Sequence, residues 1–173
     1  TEAPANYKCP KLGPDVAFDY GRRGSANRPK CIEVKRLKPS ASLTFLEMDL
    51  SSLASVQAAC KKFTHDRLDI LMCNADISEK TSAVSVDGYE IHFATNHLGH
   101  AMLIRQMLPG FLNTTKMPDA DVRIVILSSR AWAVTQKGGI CFEKLMTKQD
   151  GWWERSFTYQ YGFTNLICQK DST

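Results

Sequence analysis

A chain of 173 residues, 43% hydrophobic and 23% charged, has the make-up and length of one globular domain, and a domain of this size buries roughly 70% of its unfolded surface. No apolar run approaches the roughly 18 residues needed to cross a bilayer, and the opening TEAPANYKCPKLGP is too polar for a secretion signal, so the sequence reads as cytoplasmic with no transmembrane segment. The formal charge of +4 is modest, and its densest source, GRRGSANRPKCIEVKRLK at 21–38, has no interleaved aromatics for stacking on bases, which argues against a nucleic-acid partner.

Residues 1–15 hold Pro4, Pro10 and Pro14 without periodicity and read as an irregular tail, leaving 16–173 as a single domain. Four short apolar runs read as buried strands: VAFDY (16–20), LTFLEM (43–48), DILMC (69–73) and VRIVILS (122–128). A short basic helix is expected before Pro39. Leu53, Val56, Cys60 and Phe63 recur at helical spacing behind Ser51 and Ser52, which can cap. A longer helix is expected after Asp87, with Ile91, Ala94, Leu98, Ala101 and Met102 on one face and an end near Pro109 and Gly110. Loops are expected at 76–87, 114–121 and 130–151, the last long enough to be either a substrate-side segment or a disordered one. Strands alternating with helices predict βαβ units and a parallel sheet.

The six cysteines, Cys9, Cys31, Cys60, Cys73, Cys141 and Cys168, form no CxxC pair and read as free, largely buried thiols. His97 and His100 share a helix face, yet no carboxylate stands at matching spacing, so no metal site is expected. Trp152 and Trp153 suit either a lid over an apolar substrate or a surface anchor for their loop.

Ligands of an open parallel sheet sit beyond the carboxyl ends of its strands. Arg22 and Arg23 follow the first run, Asp49 and Leu50 the second, Asn74, Ala75 and Asp76 the third, and Ser128 and Ser129 the fourth. Arginines at that edge can grip a phosphate, and an aspartate can accept from an adenine amino group or a ribose hydroxyl. Asp49 can equally cap the following helix.

In that order and at those spacings, LEMDL, DILMCNADI, TNHLGH and RIVILSS resemble the short-chain dehydrogenases/reductases, in particular the branch similar to retinol dehydrogenases and their fungal relatives. The resemblance spans roughly 16–170 and implies a partial doubly wound, Rossmann-type α/β sheet. It implies an NADP or NAD cofactor held by Arg22, Arg23, Asp49, Leu50, Asn74 and Ala75, the arginines favouring NADP. It implies a catalytic set of Asn96, Ser129 and Tyr161, with Ser129 on the substrate oxygen and Tyr161 as proton donor or acceptor. The partners so implied are a small alcohol or carbonyl substrate and a second copy of the chain in a homodimer.

The chain also departs from the family pattern. Asp76 stands where the family keeps a glycine. No Gly-x-x-x-Gly-x-Gly turn is present, and the family's first strand, central in its sheet, is missing together with its last strands. The family's Tyr-x-x-x-Lys reads Tyr161-Gly162-Phe163-Thr164-Asn165 here: either Asn165 replaces the lysine or three residues have dropped out before it, and the continuation Asn165-Leu166-Ile167 favours the deletion. A tyrosine with a pKa near 10 is about one part in a thousand ionised at neutral pH. An ammonium about 4 Å away contributes on the order of 4 kcal/mol at an effective dielectric of 20, so without it Tyr161 is expected to be a poor base. The expectation is therefore hydride transfer between an alcohol and a ketone or aldehyde by ancestry, with little activity and weak cofactor binding as the chain stands. The alternatives are a binding or regulatory partner without catalysis, and an incomplete gene product.

Overall fold

A computed structural model describes residues 16–21, 36, 39, 42–77, 83–128 and 142–148. The tail at 1–15, most of the basic helix before Pro39, the Trp152–Trp153 pair, and Cys9, Cys31, Cys141 and Cys168 lie outside the described residues. The chain divides after Glu47 into two units.

In the first unit, β1 (Val16–Gly21) pairs in parallel with β2 (Ser42–Glu47), Val16 opposite Ser42 and Gly21 opposite Glu47. Parallel neighbours need a crossover of about a dozen residues or more, which the chain between Gly21 and Ser42 supplies.

The second unit is built around another parallel pair. β3 (Ile70–Cys73) lies beside β4 (Arg123–Ile126), with Ile70 opposite Arg123 and Cys73 opposite Ile126. Helix α1 (Leu53–Cys60) precedes β3; Ser52 caps it by accepting from Ser55 N–H at 3.3 Å, as the sequence suggested. The helix stops at Cys60. Phe63, expected on its apolar face, lies beyond it with its ring 5.5 Å from the His65 ring.

The connection from β3 to β4 is helical: α2 (Ile91–Phe93), a π-turn (Ala94–Leu98) and α3 (Gly99–Thr114) follow one another. Gly99 N–H bonds to the Ala94 carbonyl, five residues back, so the turn holds one residue more than an α-turn. A stripe counted from Ile91 at α-helical spacing thus arrives one residue early. Ala101 is exposed and Met102 half-buried, while Leu103, Met107 and Phe111 face the core. Pro109, expected to end the helix, sits inside it. Its ring is exposed, and Phe111 and Thr114, both buried beyond it, hold the last turn against the interior, offsetting the ~3 kcal/mol that an internal proline costs.

Met48, Leu50, Val56, Ala59, Cys73, Ala94, Leu103, Met107 and Phe111 are among the buried apolar side chains of this unit, with α1 packed on α3. A smaller cluster joins Phe93 to Leu145, flanked by Tyr89 and Leu98. Leu145 follows a 3₁₀ turn (Phe142–Lys144) within the segment expected to be loop. The described strands thus form two parallel two-stranded sheets with a helical crossover, a partial doubly wound α/β fold.

Candidate functional site

The carboxyl ends of β3 and β4 lie side by side, joined by Leu127 N–H donating to the Cys73 carbonyl at 3.1 Å. Asn74, Ala75 and Asp76 leave this edge from β3, and Leu127 and Ser128 leave it from β4. Asn74, Asp76 and Ser128 are exposed; Ala75 and Ile77 are half-buried.

Asn96 closes the turn from below. It sits in the middle of the π-turn, 9% exposed. Its Oδ1 accepts from Ile77 N–H at 2.8 Å, and its Nδ2 donates to the Ile77 carbonyl at 3.0 Å. An amide satisfies a backbone donor and a backbone acceptor at once, which neither a carboxylate nor an aliphatic side chain can do. The residue implied as catalytic therefore fixes the exit of the strand-end turn. Its neighbour Thr95 is buried, with a hydroxyl lacking a hydrogen-bond partner among the described residues.

One helical turn on, His100 is 6% exposed, its Nδ1 3.1 Å from the Asn96 carbonyl. A ring nitrogen facing a carbonyl oxygen carries the hydrogen, which fixes the neutral ring as the Nδ1–H tautomer. Burial pushes the His100 pKa below its ordinary value, opposed by the Asn96 carbonyl and by the negative charge of Asp76. His97, the other histidine of the pair, stacks on Phe93 at 5.4 Å between ring centroids.

Gly99 completes the packing at this end. A Cβ there would stand 2.9 Å from Leu50 Cβ and closer still to the Leu50 carbonyl oxygen, so the glycine is needed for close approach. Leu50 itself is 7% exposed. Asp49 Oδ1 accepts from Ser51 N–H at 3.0 Å and Ser51 Oγ at 2.7 Å, while its own N–H donates to Ser55 Oγ, so the carboxylate shapes the turn into α1 as a capping residue does.

A second polar cluster went unnoticed in the sequence. Glu90, 2% exposed, accepts from Phe93 N–H through Oε2 at 2.8 Å and meets His92 Nδ1 through Oε1 at 2.7 Å; its own N–H donates to the Leu145 carbonyl. The carboxylate caps α2, and the Glu90 backbone N–H ties the 142–148 segment to it. A glutamate immediately before an apolar helix start was the available signal.

Of the residues singled out from sequence, the described part of the second unit holds Asn96, Asp49, Leu50, Asn74 and Ala75. Asn74 and Ala75 lie at the sheet edge, and Asn96 reaches that turn through Ile77. Ser129, Tyr161, Arg22 and Arg23 lie outside the described residues. Cys73 is buried and Cys60 half-buried, both as thiols, and burial raises the Cys60 pKa.

The edge is an imperfect match for a dinucleotide. Asn74 and Ala75 offer a small side chain and an exposed amide, as a closely approaching ligand requires. Asp76 adds a side chain and a negative charge to the same turn, and that charge does not suit a diphosphate.

A parallel strand pair joined by a helical crossover that includes a π-turn at an asparagine fits an α/β protein of the Rossmann class. The family model for "short chain dehydrogenase" matches residues 7–142, and the chain belongs to that family. It is 37% identical over 119 residues to retinol dehydrogenase 14 of Mus musculus, a match covering 68% of this chain and 33% of that protein. It is 32% identical over 135 residues to a short-chain dehydrogenase/reductase of Phomopsis amygdali, covering 74% of this chain and 40% of that one. The structure of NADPH-bound carbonyl reductase from chicken fatty liver superposes with a TM-score of 0.56 at 17% identity, covering 94% of this chain and 64% of that one. The chain thus spans about a third to two-fifths of the length of these two curated relatives.

Proposed function

We propose that this chain is the part of an NAD(P)-dependent alcohol/carbonyl oxidoreductase that lines the cofactor-side edge of the sheet, and that as it stands it binds NADPH weakly and turns over little. The observation that carries this reading is the two-bond clamp between Asn96 and Ile77, which fixes the Asn74–Asp76 turn at the sheet edge. Family membership supports the reaction class, as do relatives named for retinol dehydrogenation and NADPH-bound carbonyl reduction. On the family pattern Ser129 orients the substrate oxygen and Tyr161 exchanges its proton.

Weak binding follows from what the sequence keeps and loses. Arg22, Arg23 and Asp49 are present, but no glycine-rich cradle is, and each lost charge-assisted phosphate contact costs roughly 1.5–3 kcal/mol. Calorimetric titration with NADPH should give a high-micromolar or weaker dissociation constant. Low-micromolar binding sinks the weak-site reading, and no binding up to millimolar NADPH sinks the cofactor assignment itself. Inserting Lys-Leu-Ala between Thr164 and Asn165 should not by itself produce detectable reduction of an aldehyde and ketone panel, because a better base is useful only where the cofactor is held against the substrate.

A further inference from the structure

Position 76 separates two reasons for which a turn can need glycine. Among the described residues Asp119 is the one non-glycine residue with positive φ, so Asp76 has an ordinary backbone. Whatever the aspartate changes, it changes through its side chain. That side chain is exposed at the carboxyl edge of β3, one residue before the Ile77 backbone that Asn96 holds in place. The turn cannot swing away to carry the charge elsewhere without breaking both bonds. The charge of Asp76 is also felt within the site, since it favours the protonated form of buried His100.

We propose that Asp76 is a specificity-determining residue that disfavours anionic dinucleotides at this edge by charge repulsion rather than by backbone strain or bulk. The inference rests on the cofactor reading above and names what weakens that site. Where a dinucleotide lies against this edge, an exposed carboxylate a few ångströms from one of its phosphates, interacting through water, would lower affinity by about five- to tenfold. The effect is one of charge, so an uncharged isostere should relieve it nearly as well as glycine does. Salt should also relieve it, because the screening length falls from about 10 Å at 0.1 M to about 3 Å at 1 M.

The test uses the full 173-residue chain as wild type, Asp76→Asn and Asp76→Gly, titrated with NADPH at low and high salt. The His100 imidazole is titrated in parallel by proton NMR, which reports on the fold and on the Asp76 field without any cofactor. Both variants should bind NADPH about five- to tenfold more tightly than wild type at low salt, with the gap closing at 1 M salt. The His100 pKa should fall in both variants, because an attraction that favours its charged form is gone. Asp76→Asn binding no tighter than wild type overturns the proposal and leaves the cofactor assignment standing. A gain in Asp76→Gly alone overturns it in favour of bulk. An unmoved His100 pKa overturns the electrostatic reach on which it depends. Failure of all three proteins to bind NADPH overturns the cofactor assignment and this inference together, even where His100 responds.

Discussion

The two ends of the β3–β4 pair are held by different chemistry. At the amino end exposed ion pairs, Arg67 forked onto Asp69 at 2.8 Å and Arg123 on Asp121 at 2.5 Å, accompany one bond to a buried hydroxyl, Leu68 N–H donating to Thr114 Oγ1 at 2.8 Å. The Arg67 guanidinium holds the Asp69 carboxyl below the usual carboxylate range. At the carboxyl end the fastenings are buried and uncharged: the Asn96 amide on Ile77, Gly99 against Leu50, and His100 on the Asn96 carbonyl. Exposed pairs are screened by water and salt and contribute little, whereas a buried amide that loses its partners leaves polar groups unsatisfied. The buried bonds at the carboxyl end should therefore matter more to the stability of this unit than the exposed pairs, and if the proposed cofactor edge is correct, binding geometry and folding stability are coupled at the same residues.

The largest expected effect is at Asn96. Asn96→Ala removes both bonds to Ile77 and should cost about 2–4 kcal/mol in urea unfolding. Asn96→Asp keeps the acceptor toward Ile77 N–H, turns a carboxylate toward the Ile77 carbonyl, and should recover little at neutral pH. Gly99→Ala comes next, at about 1–3 kcal/mol, because the clash is with Leu50 backbone and Cβ rather than with a flexible side-chain end. A Gly99→Ala protein as stable as wild type would break the comparison.

His100 gives a pH signature. Its folded-state pKa lies below the ordinary value of 6.5, so as pH falls through about 6.5 the unfolded chain takes up the proton first. Stability from this group is full above that value and is lost as pH falls from it toward the folded-state pKa. Replacing His100 with Gln should flatten this part of the pH–stability curve. The smallest effect is expected at the amino end: Asp121→Asn should shift stability by less than about 0.5 kcal/mol, and less still in high salt. A loss comparable to that of Asn96→Ala would reverse the assignment of the two ends.

The positions of the strands were legible because a parallel strand is a short apolar run bounded by polar residues, and all four runs fall within two residues of the observed limits; the expectation that they are buried fails for β3 and β4, where Ile70, Met72, Ile124 and Ile126 are exposed and Cys73 is buried. The α1 cap was legible for a similarly local reason. The π-turn was not, since one residue of excess leaves no periodic mark in ATNHL, and the apolar stripe was consequently placed on Ala101. Pro109 misled because propensity is local while burial of Phe111 and Thr114 is not. The family resemblance singled out Asn96 and the Asn74–Ala75 strand end as candidates, and the fold brings Asn96 to that strand end through Ile77. The His97–His100 spacing drew attention to metal chemistry, whereas the informative neighbour of His100 was Asn96 at i−4. Asp76 was visible as a departure, but the effect of its charge on His100, distant in the chain, was not.

The π-turn lets this helix carry one residue more than ordinary winding holds while its buried face keeps its place. Deleting one residue between Ala94 and Leu98 would restore ordinary winding and bring Leu103, Met107 and Phe111 to the positions that an α-helical count from Ile91 assigns to the core side, so the buried stripe would stay in register. What such a deletion would remove is the local geometry that carries the Asn96 amide to Ile77, so the extra residue serves the strand end rather than the core.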